Sequence, residues 1–295
     1  VEHARPSRVP APPDEPAGTP PAGPPGTPPD EPGAAPPDEP AADAQPVPLA
    51  TRAASFGPAA ALYQAARPTY PDEAVAWCVP ADALDVVDLA AGTGKLTERL
   101  VAQGVPGRRV TAVEPSPGMR DALAASLPGV TVLPGSAERT GLPDASADAV
   151  TVGQAWHWFD EAAAATELAR VLHPGGVLAV VWNVRDTEAG PDWLAAYEEI
   201  VHRGDPAPPH GGHAPALGAA FGSVEHRAFR WADEVRPAAL RDLAASRSHL
   251  LTLPDDAREA LLAEIDDLVG THPDLRGRDV VPLLYRTDCF RAARR

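Results

Sequence analysis

Residues 86–97 read Val86-Val87-Asp88-Leu89-Ala90-Ala91-Gly92-Thr93-Gly94-Lys95-Leu96-Thr97, and this stretch decides the fold. An apolar run closes on an acid, passes through small residues, and enters a segment that sets Leu96, Leu100 and Val101 on one helical face before Gly104 stops it. That is a strand, a tight loop and a helix, with the loop small enough for its backbone to approach a ligand closely. Outward from it the alternation repeats. Val110–Glu114 reads as a second strand, Pro117–Leu127 as a helix opened by Ser116 and Pro117, and Val130–Leu133 as a third short strand. Ala149–Val152 gives a fourth strand, Glu161–Leu172 a helix, and Gly176–Trp182 a fifth strand after a His173-Pro174-Gly175-Gly176 turn. Repeated strand–helix–strand units imply a parallel sheet covered on both faces.

The last third differs. Val224–Trp231 and Val280–Phe290 read as longer strands, separated by a helical stripe of Leu261, Leu262, Ile265, Leu268 and Val269 that Gly270 ends. Such a pair suits an antiparallel closure of the sheet edge. Between these regions, Asp205–Leu217 reads as a flexible loop; its His210 and His213 lack a neighbouring acid and make a poor metal site, so no metal is expected.

The 295 residues carry 41 acids against 25 bases, a net charge of −16. Residues 1–50 hold 17 of the 37 prolines, 8 acids and 2 bases, with PPDEP at Pro12–Pro16, Pro28–Pro32 and Pro36–Pro40. With hardly an aliphatic residue to bury, residues 1–50 read as a disordered, acidic, proline-rich arm of extended chain. Residues 51–295 retain 33 acids against 23 bases, which argues against a nucleic-acid partner, because that affinity comes largely from Lys and Arg displacing counterions. The longest apolar run is far short of the ~18 residues of a membrane span. Cys78 and Cys289 stand 211 positions apart with no metal spacing, which suits a reducing, cytoplasmic setting, and no obligate protein partner is expected.

Three chemistries use a loop like 86–97. A phosphate-binding GxxxxGK[ST] loop fails twice, since Leu89 stands where its first glycine belongs and Leu96 where the magnesium-binding hydroxyl belongs. A dinucleotide fingerprint meets Thr97 at its third glycine and an acid, Asp88, where pyrophosphate must approach. S-adenosyl-L-methionine carries a cationic sulfonium and ammonium and no phosphate, so Asp88 helps it. Glu114, twenty positions beyond Gly94 at a strand end, is placed to accept both ribose hydroxyls, a spacing shared with nicotinamide enzymes.

Over about residues 54–185, and more loosely to the C-terminus, the chain resembles the class I S-adenosylmethionine-dependent methyltransferases, specifically the small-molecule type 11 group. Asp88-Leu-Ala-Ala-Gly-Thr-Gly94 resembles the family's acid plus GxGxG loop, with Ala90 at the first glycine and Gly92, Thr93 and Gly94 following. The segment Thr111–Met119 resembles the second-strand motif, which implies Glu114 on the ribose and Pro115 and Met119 near the adenine. Gly135-Ser136-Ala137-Glu138 resembles the segment that bonds the adenine amino edge, and Gln154-Ala-Trp156-His157-Trp158 occupies the strand end that faces the methyl toward substrate. Leu172–Gly176 resembles the turn before the fifth strand; Ser55-Phe-Gly-Pro58, Tyr63 and Arg67 resemble an N-terminal cap over the cofactor. The resemblance implies an α/β, Rossmann-like seven-stranded, mostly parallel sheet in the order 3-2-1-4-5-7-6, strand 7 antiparallel, with helices on both faces. Cap helices would fill 51–80, the cofactor-binding core 81–185, and substrate-side helices with the closing strands 186–295.

The activity expected is methyl transfer from S-adenosyl-L-methionine to a small-molecule acceptor. This in-line displacement needs a nucleophile held ~3–3.5 Å from the methyl and needs no metal. His157 is the candidate base, set against a packing role between Trp156 and Trp158. Those tryptophans read as an apolar wall or cation face for the acceptor, with core packing as the alternative. Met119 is equally open to core packing. Lys95, the chain's only lysine, reads as a solvated first-turn residue. Arg67, Arg185 and Arg247 suit a forked bond to an acceptor carboxylate, against surface or sheet-edge roles. Two alternatives remain: an NAD(P)-dependent Rossmann oxidoreductase, and a non-catalytic cofactor-binding protein acting through its proline-rich arm.

Overall fold

A computed structural model of the chain describes residues 67–205 and 213–295. The cap residues Ser55–Pro58 and Tyr63, the proline-rich arm and His210 lie outside them.

Chain order is helix α1 (Asp72–Cys78), strand β1 (Asp85–Leu89), α2 (Lys95–Ala102), β2 (Arg109–Val113), α3 (Pro117–Ser126), β3 (Thr131–Leu133), β4 (Ala147–Gly153), a 3₁₀ turn (Trp156–Trp158), α4 (Glu161–Val171) and β5 (Leu172–Arg185). There follow α5 (Asp192–His202), β6 (Glu225–Val235), α6 (Ala239–Ala245), α7 (Ser248–Thr252), α8 (Asp255–Thr271) and β7 (Val281–Ala293). The seven strands form one sheet in the order β3-β2-β1-β4-β5-β7-β6. β1 to β5 pair in parallel, and β7 runs antiparallel to both its neighbours. The expected architecture and strand order are those observed.

The burial of each strand follows its place. β1 and β4, central and covered on both faces, are almost wholly buried, whereas β6, at the edge, is mostly exposed. Helices cover the sheet in two apolar layers. α4, Trp156 and Phe221 join Leu89, Val150, Val152 and Val180 on one side, while α1 and α2 join Val86, Ala149, Val181 and Cys289 on the other. A third apolar cluster joins α5, α6, α7 and α8 to one end of β7 through Trp193, Tyr197, Leu240, Ile265 and Leu283. It forms a helical lobe over the C-terminal end of β5.

Two boundaries differ from expectation for physical reasons. Gly175 does turn the chain, at φ +82°, but Leu172 already pairs with Ala147, so the His173–Gly176 turn becomes an irregularity inside β5 and not its start. Gly270 does not end α8, which runs on to Thr271. One glycine costs a helix only about 1 kcal/mol, less than the helix recovers by burying Leu261, Leu262 and Ile265. Among the described residues no helix is long and apolar enough to cross a membrane.

Candidate active site

The C-terminal ends of β1, β4 and β5 open into two adjoining clefts, at the place where parallel sheets reverse strand order and bind ligands. The first is lined by Asp88, Ala90–Thr93, Leu96 and Gly153. The second is lined by Gln154, Asn183, Arg185, Arg67, Arg247 and Tyr285, among others, and encloses about 630 Å³ open to solvent. Tyr70 and Lys95 line both, so the two form one continuous groove.

The loop over β1 is shaped by backbone that few residues tolerate. Ala90, Gly92 and Gly94 all have positive φ, at 51°, 58° and 92°. Glycine accommodates this freely, and alanine carries a small strain, which rigid neighbours must maintain. A Cβ on Gly94 would lie 2.9 Å from Leu123 Cγ, so α3 can pack this closely only against glycine. At the next strand end, a Cβ on Gly153 would lie 2.7 Å from Tyr70 Oη, and Gln154 follows at φ +58°. Tyr70 therefore seats directly on β4 backbone where the two clefts meet.

Asp88 is buried, 1% exposed. Its Oδ2 accepts from Thr97 Oγ1 at 2.6 Å, and its Oδ1 from Thr151 Oγ1 at 3.1 Å. Burial pushes its pKa up from 3.8 to about 7 despite both hydroxyls, with a smaller push from Glu114. An acid in this condition lacks a cation. Glu114 is buried too, and its Oε2 accepts from Gly92 N at 2.9 Å and its Oε1 from Ser116 N at 2.8 Å. Burial raises its pKa, and the two backbone N–H groups oppose the rise. Glu114 thus fastens the glycine loop to the end of β2, with spare lone pairs on both oxygens. The next carbonyl, of Pro115, accepts from Arg120 Nη1 at 2.7 Å.

The remaining candidates divide between groove and core. Met119 is buried, its sulfur 3.6 Å from where a Cβ on Gly92 would stand, and so packs under the loop. Ser136 N and Arg139 O close a turn at 3.1 Å, Ala137 is buried in the core, and Glu138 Oε1 accepts from Asp160 N at 3.1 Å. Gln154 faces the second cleft and donates from Nε2 to Asn183 O at 2.8 Å. Trp156 corrects an expectation. It is 3% exposed and packs edge-on against Phe159, inside the apolar layer under α4, so it forms no wall of the groove. His157 has ring centroids 4.3 Å from Trp158 and 5.4 Å from Trp182, and neither it nor Trp158 is among the groove's lining residues. The physical reason is the 3₁₀ turn, whose threefold repeat sends three consecutive side chains in three directions. Lys95 corrects another, being a half-buried groove residue and not a solvated one.

Sequence reasoning missed Tyr70, Asn183, Glu198, His202 and Tyr285. Asn183 takes a hydrogen bond from Thr287 Oγ1 at 2.6 Å and donates to Thr69 O at 2.8 Å, tying β5 to β7 and to the chain entering α1. Glu198 and His202 lie one turn apart on the inner face of α5, a spacing the sequence displays without indicating what it faces. Among the described residues no group of His, Cys, Asp and Glu could hold a metal ion.

Comparison with known proteins bears on this groove. A family model described as a methyltransferase domain matches residues 87–180, the segment that builds the glycine loop, β4 and the first part of β5. An uncharacterized methyltransferase of Mycobacterium tuberculosis is 46% identical over 239 residues, spanning 81% of this chain and 95% of that protein. An uncharacterized methyltransferase-like protein of Schizosaccharomyces pombe is 32% identical over 242 residues, covering 77% of this chain and 91% of its own. Among solved structures, a protein of Anaeromyxobacter dehalogenans assigned as a type II methyltransferase superposes with a TM-score of 0.56 at 25% identity, over 77% of this chain and 97% of that one.

Proposed function

Since this chain belongs to the methyltransferase family, we propose that it binds S-adenosyl-L-methionine in the cleft over Asp88–Lys95 and methylates a small molecule seated beside Gln154 and Asn183. The family implies use of this cofactor, and the comparisons favour neither a nicotinamide oxidoreductase nor a non-catalytic binding protein. The observation that carries the reading is Asp88, a buried acid with a pKa of about 7 beside a loop of positive-φ small residues. Such a site fits a cationic ligand that comes close to backbone, and it repels pyrophosphate.

When bound, the cofactor supplies an electrophilic methyl on a sulfonium. The chain's own residues do the rest by positioning and exclusion. Asp88, fixed by two threonine hydroxyls, offers a negative charge that needs no reorganisation when a cation arrives. Glu114 presents its remaining lone pairs from the end of β2, a place suited to a pair of hydroxyls. Gly92 and Gly94 leave the room that side chains would fill. Tyr70 and Lys95 stand at the junction of the clefts, Tyr70 shielding the floor of β4 from water. No described side chain of the groove is assigned as a general base, and His157, outside its lining, is read as a packing residue.

Calorimetric titration with S-adenosylhomocysteine, with NAD(H) in parallel, tests this. Micromolar binding of the former alone is expected, and Asp88→Ala should weaken it ~10-fold or more, matching a charge-assisted contact of about 1.5–3 kcal/mol. Binding of NAD(H) alone would overturn the reading.

A further inference from the structure

The second cleft concentrates positive charge in a chain whose net charge is −16. Arg67, Lys95, Arg185 and Arg247 line it, with Glu198 the one acid among its described lining residues. The contacts of Arg185 and Arg247 show how their charge is held. Arg185 is buried, 8% exposed, and pairs with Glu198 through Nη1. Arg247 Nη2 lies 2.5 Å from His202 Nε2, and His202 Nδ1 lies 2.9 Å from Glu198 O. Arginine is always a donor, so His202 accepts at Nε2 and must be the neutral tautomer protonated at Nδ1. Burial and the Arg247 charge lower the His202 pKa, consistent with that state. Among the described residues Arg247 thus meets a neutral partner and no carboxylate of its own. Burial, then the nearby Arg185, bring its pKa down to about 10, and Arg67 adds to the repulsion. Arg185 and Arg247 remain charged at neutral pH and have Glu198 between them, while Arg67 donates from Nη2 to Ser246 O at 3.1 Å beside them.

We propose that this cluster is the anchor for a carboxylate on the acceptor, so that the enzyme methylates small organic acids. The inference rests on the methyltransferase reading of the adjoining cleft, and it assigns the substrate class that reading leaves open. Guanidinium forks match a planar carboxylate in two parallel hydrogen bonds. A phosphate is disfavoured on two counts. Among the described residues no glycine-rich backbone lines this cleft to cradle it, and Glu198 would oppose a dianion more strongly than a monoanion. A carboxylate held by arginines has its electron pairs occupied by those donors, so the anchor is not the nucleophile. Another atom of the acid, which Gln154 and Asn183 border on the cofactor side, would take the methyl as the carbon–sulfur bond breaks, leaving a neutral thioether and giving up its own proton to water.

The test uses the full chain with succinate, citrate and benzoate, with succinamide and benzamide as neutral controls and glycerol phosphate as the phosphate probe. Binding is read by calorimetry with and without S-adenosylhomocysteine. At least one acid should bind at millimolar concentration or better, its amide at least 10-fold more weakly. Arg247→Met should weaken the acid at least 10-fold while S-adenosylhomocysteine affinity stays within about two-fold, which also reports that the variant is folded. Arg247→Lys, keeping charge without the fork, should fall between them. Acids that bind Arg247→Met as they bind the parent, amides that bind as tightly as acids, preference for glycerol phosphate, or no acid binding at all would each overturn the proposal. Failure of S-adenosylhomocysteine to bind, with acid binding still dependent on Arg247, would overturn the cofactor reading alone.

Discussion

At the scale of single residues, Asp88 is held in a state that favours ligand over fold. Its pKa is about 7 in the folded chain against 3.8 in the free acid. Between about pH 4 and 7 the folded state therefore holds a proton that the unfolded state has released, and the stability owed to neutral Asp88, complete below about pH 4, is lost as pH rises through 7. Asp88→Asn keeps the shape and removes this penalty. We expect its melting temperature at pH 8 to exceed the parent's while its affinity for S-adenosylhomocysteine falls at least 10-fold; equal melting temperatures would show that Asp88 is ionised at no cost. The same titration gives the parent a pH-dependent affinity. S-adenosyl-L-methionine, cationic at its sulfonium, prefers ionised Asp88, so its calorimetric affinity should weaken from pH 8 to pH 6, and a flat profile would contradict the raised pKa.

At the scale of elements, legibility followed how local the determinants are. The glycine loop was readable because its needs are met within a dozen residues: apolar strand, acid, small residues, helix. The same held for β7 and β6, whose lengths and apolar patterns announced strands before their pairing was known. What could not be read was direction. Trp156, His157 and Trp158 are adjacent in sequence, but a single 3₁₀ turn sends Trp156 into the core and leaves the other two half-buried. Trp156→Ala should accordingly cost about 3–5 kcal/mol in urea unfolding, as loss of a core aromatic does; a cost below about 1 kcal/mol would return it to the groove wall. Arg67, Arg185 and Arg247 were legible singly as carboxylate ligands, but their convergence depends on α5 and α7 packing over the end of β5, across 180 residues of chain. At the loop itself, Gly94→Ala places a Cβ against Leu123 in a backbone with φ +92°. Overpacking of this kind costs about 1–3 kcal/mol, which equilibrium unfolding would register as a lowered midpoint, together with weaker S-adenosylhomocysteine binding.

At the scale of the whole molecule, distant parts of the sequence meet across one face of the sheet. α1 packs on β7, where Arg291 Nη1 donates to Trp77 O at 2.7 Å and its guanidinium lies 4.2 Å from the Trp77 ring centroid. Beneath that contact Cys78 and Cys289 are both buried, and a hydrogen bond to Cys289, followed by burial, raises the Cys78 thiol pKa. Neither thiol should react with a disulfide reagent in the native protein at neutral pH, and both should react when urea unfolds it; fast reaction without denaturant would mean that α1 detaches from the sheet on its own.

The placement of β7 between β5 and β6 has a consequence in time. It is the last of the seven strands in sequence, yet it occupies an interior position, so β5 keeps an open edge and β6 has no sheet to join until Val281 and the residues after it are made. The arginine-lined cleft, which Tyr285 of β7 completes, can exist in the growing chain only as parts. A ribosome that stalls before Val281 would leave a product whose β5 edge is exposed, which the cell's quality control can recognise.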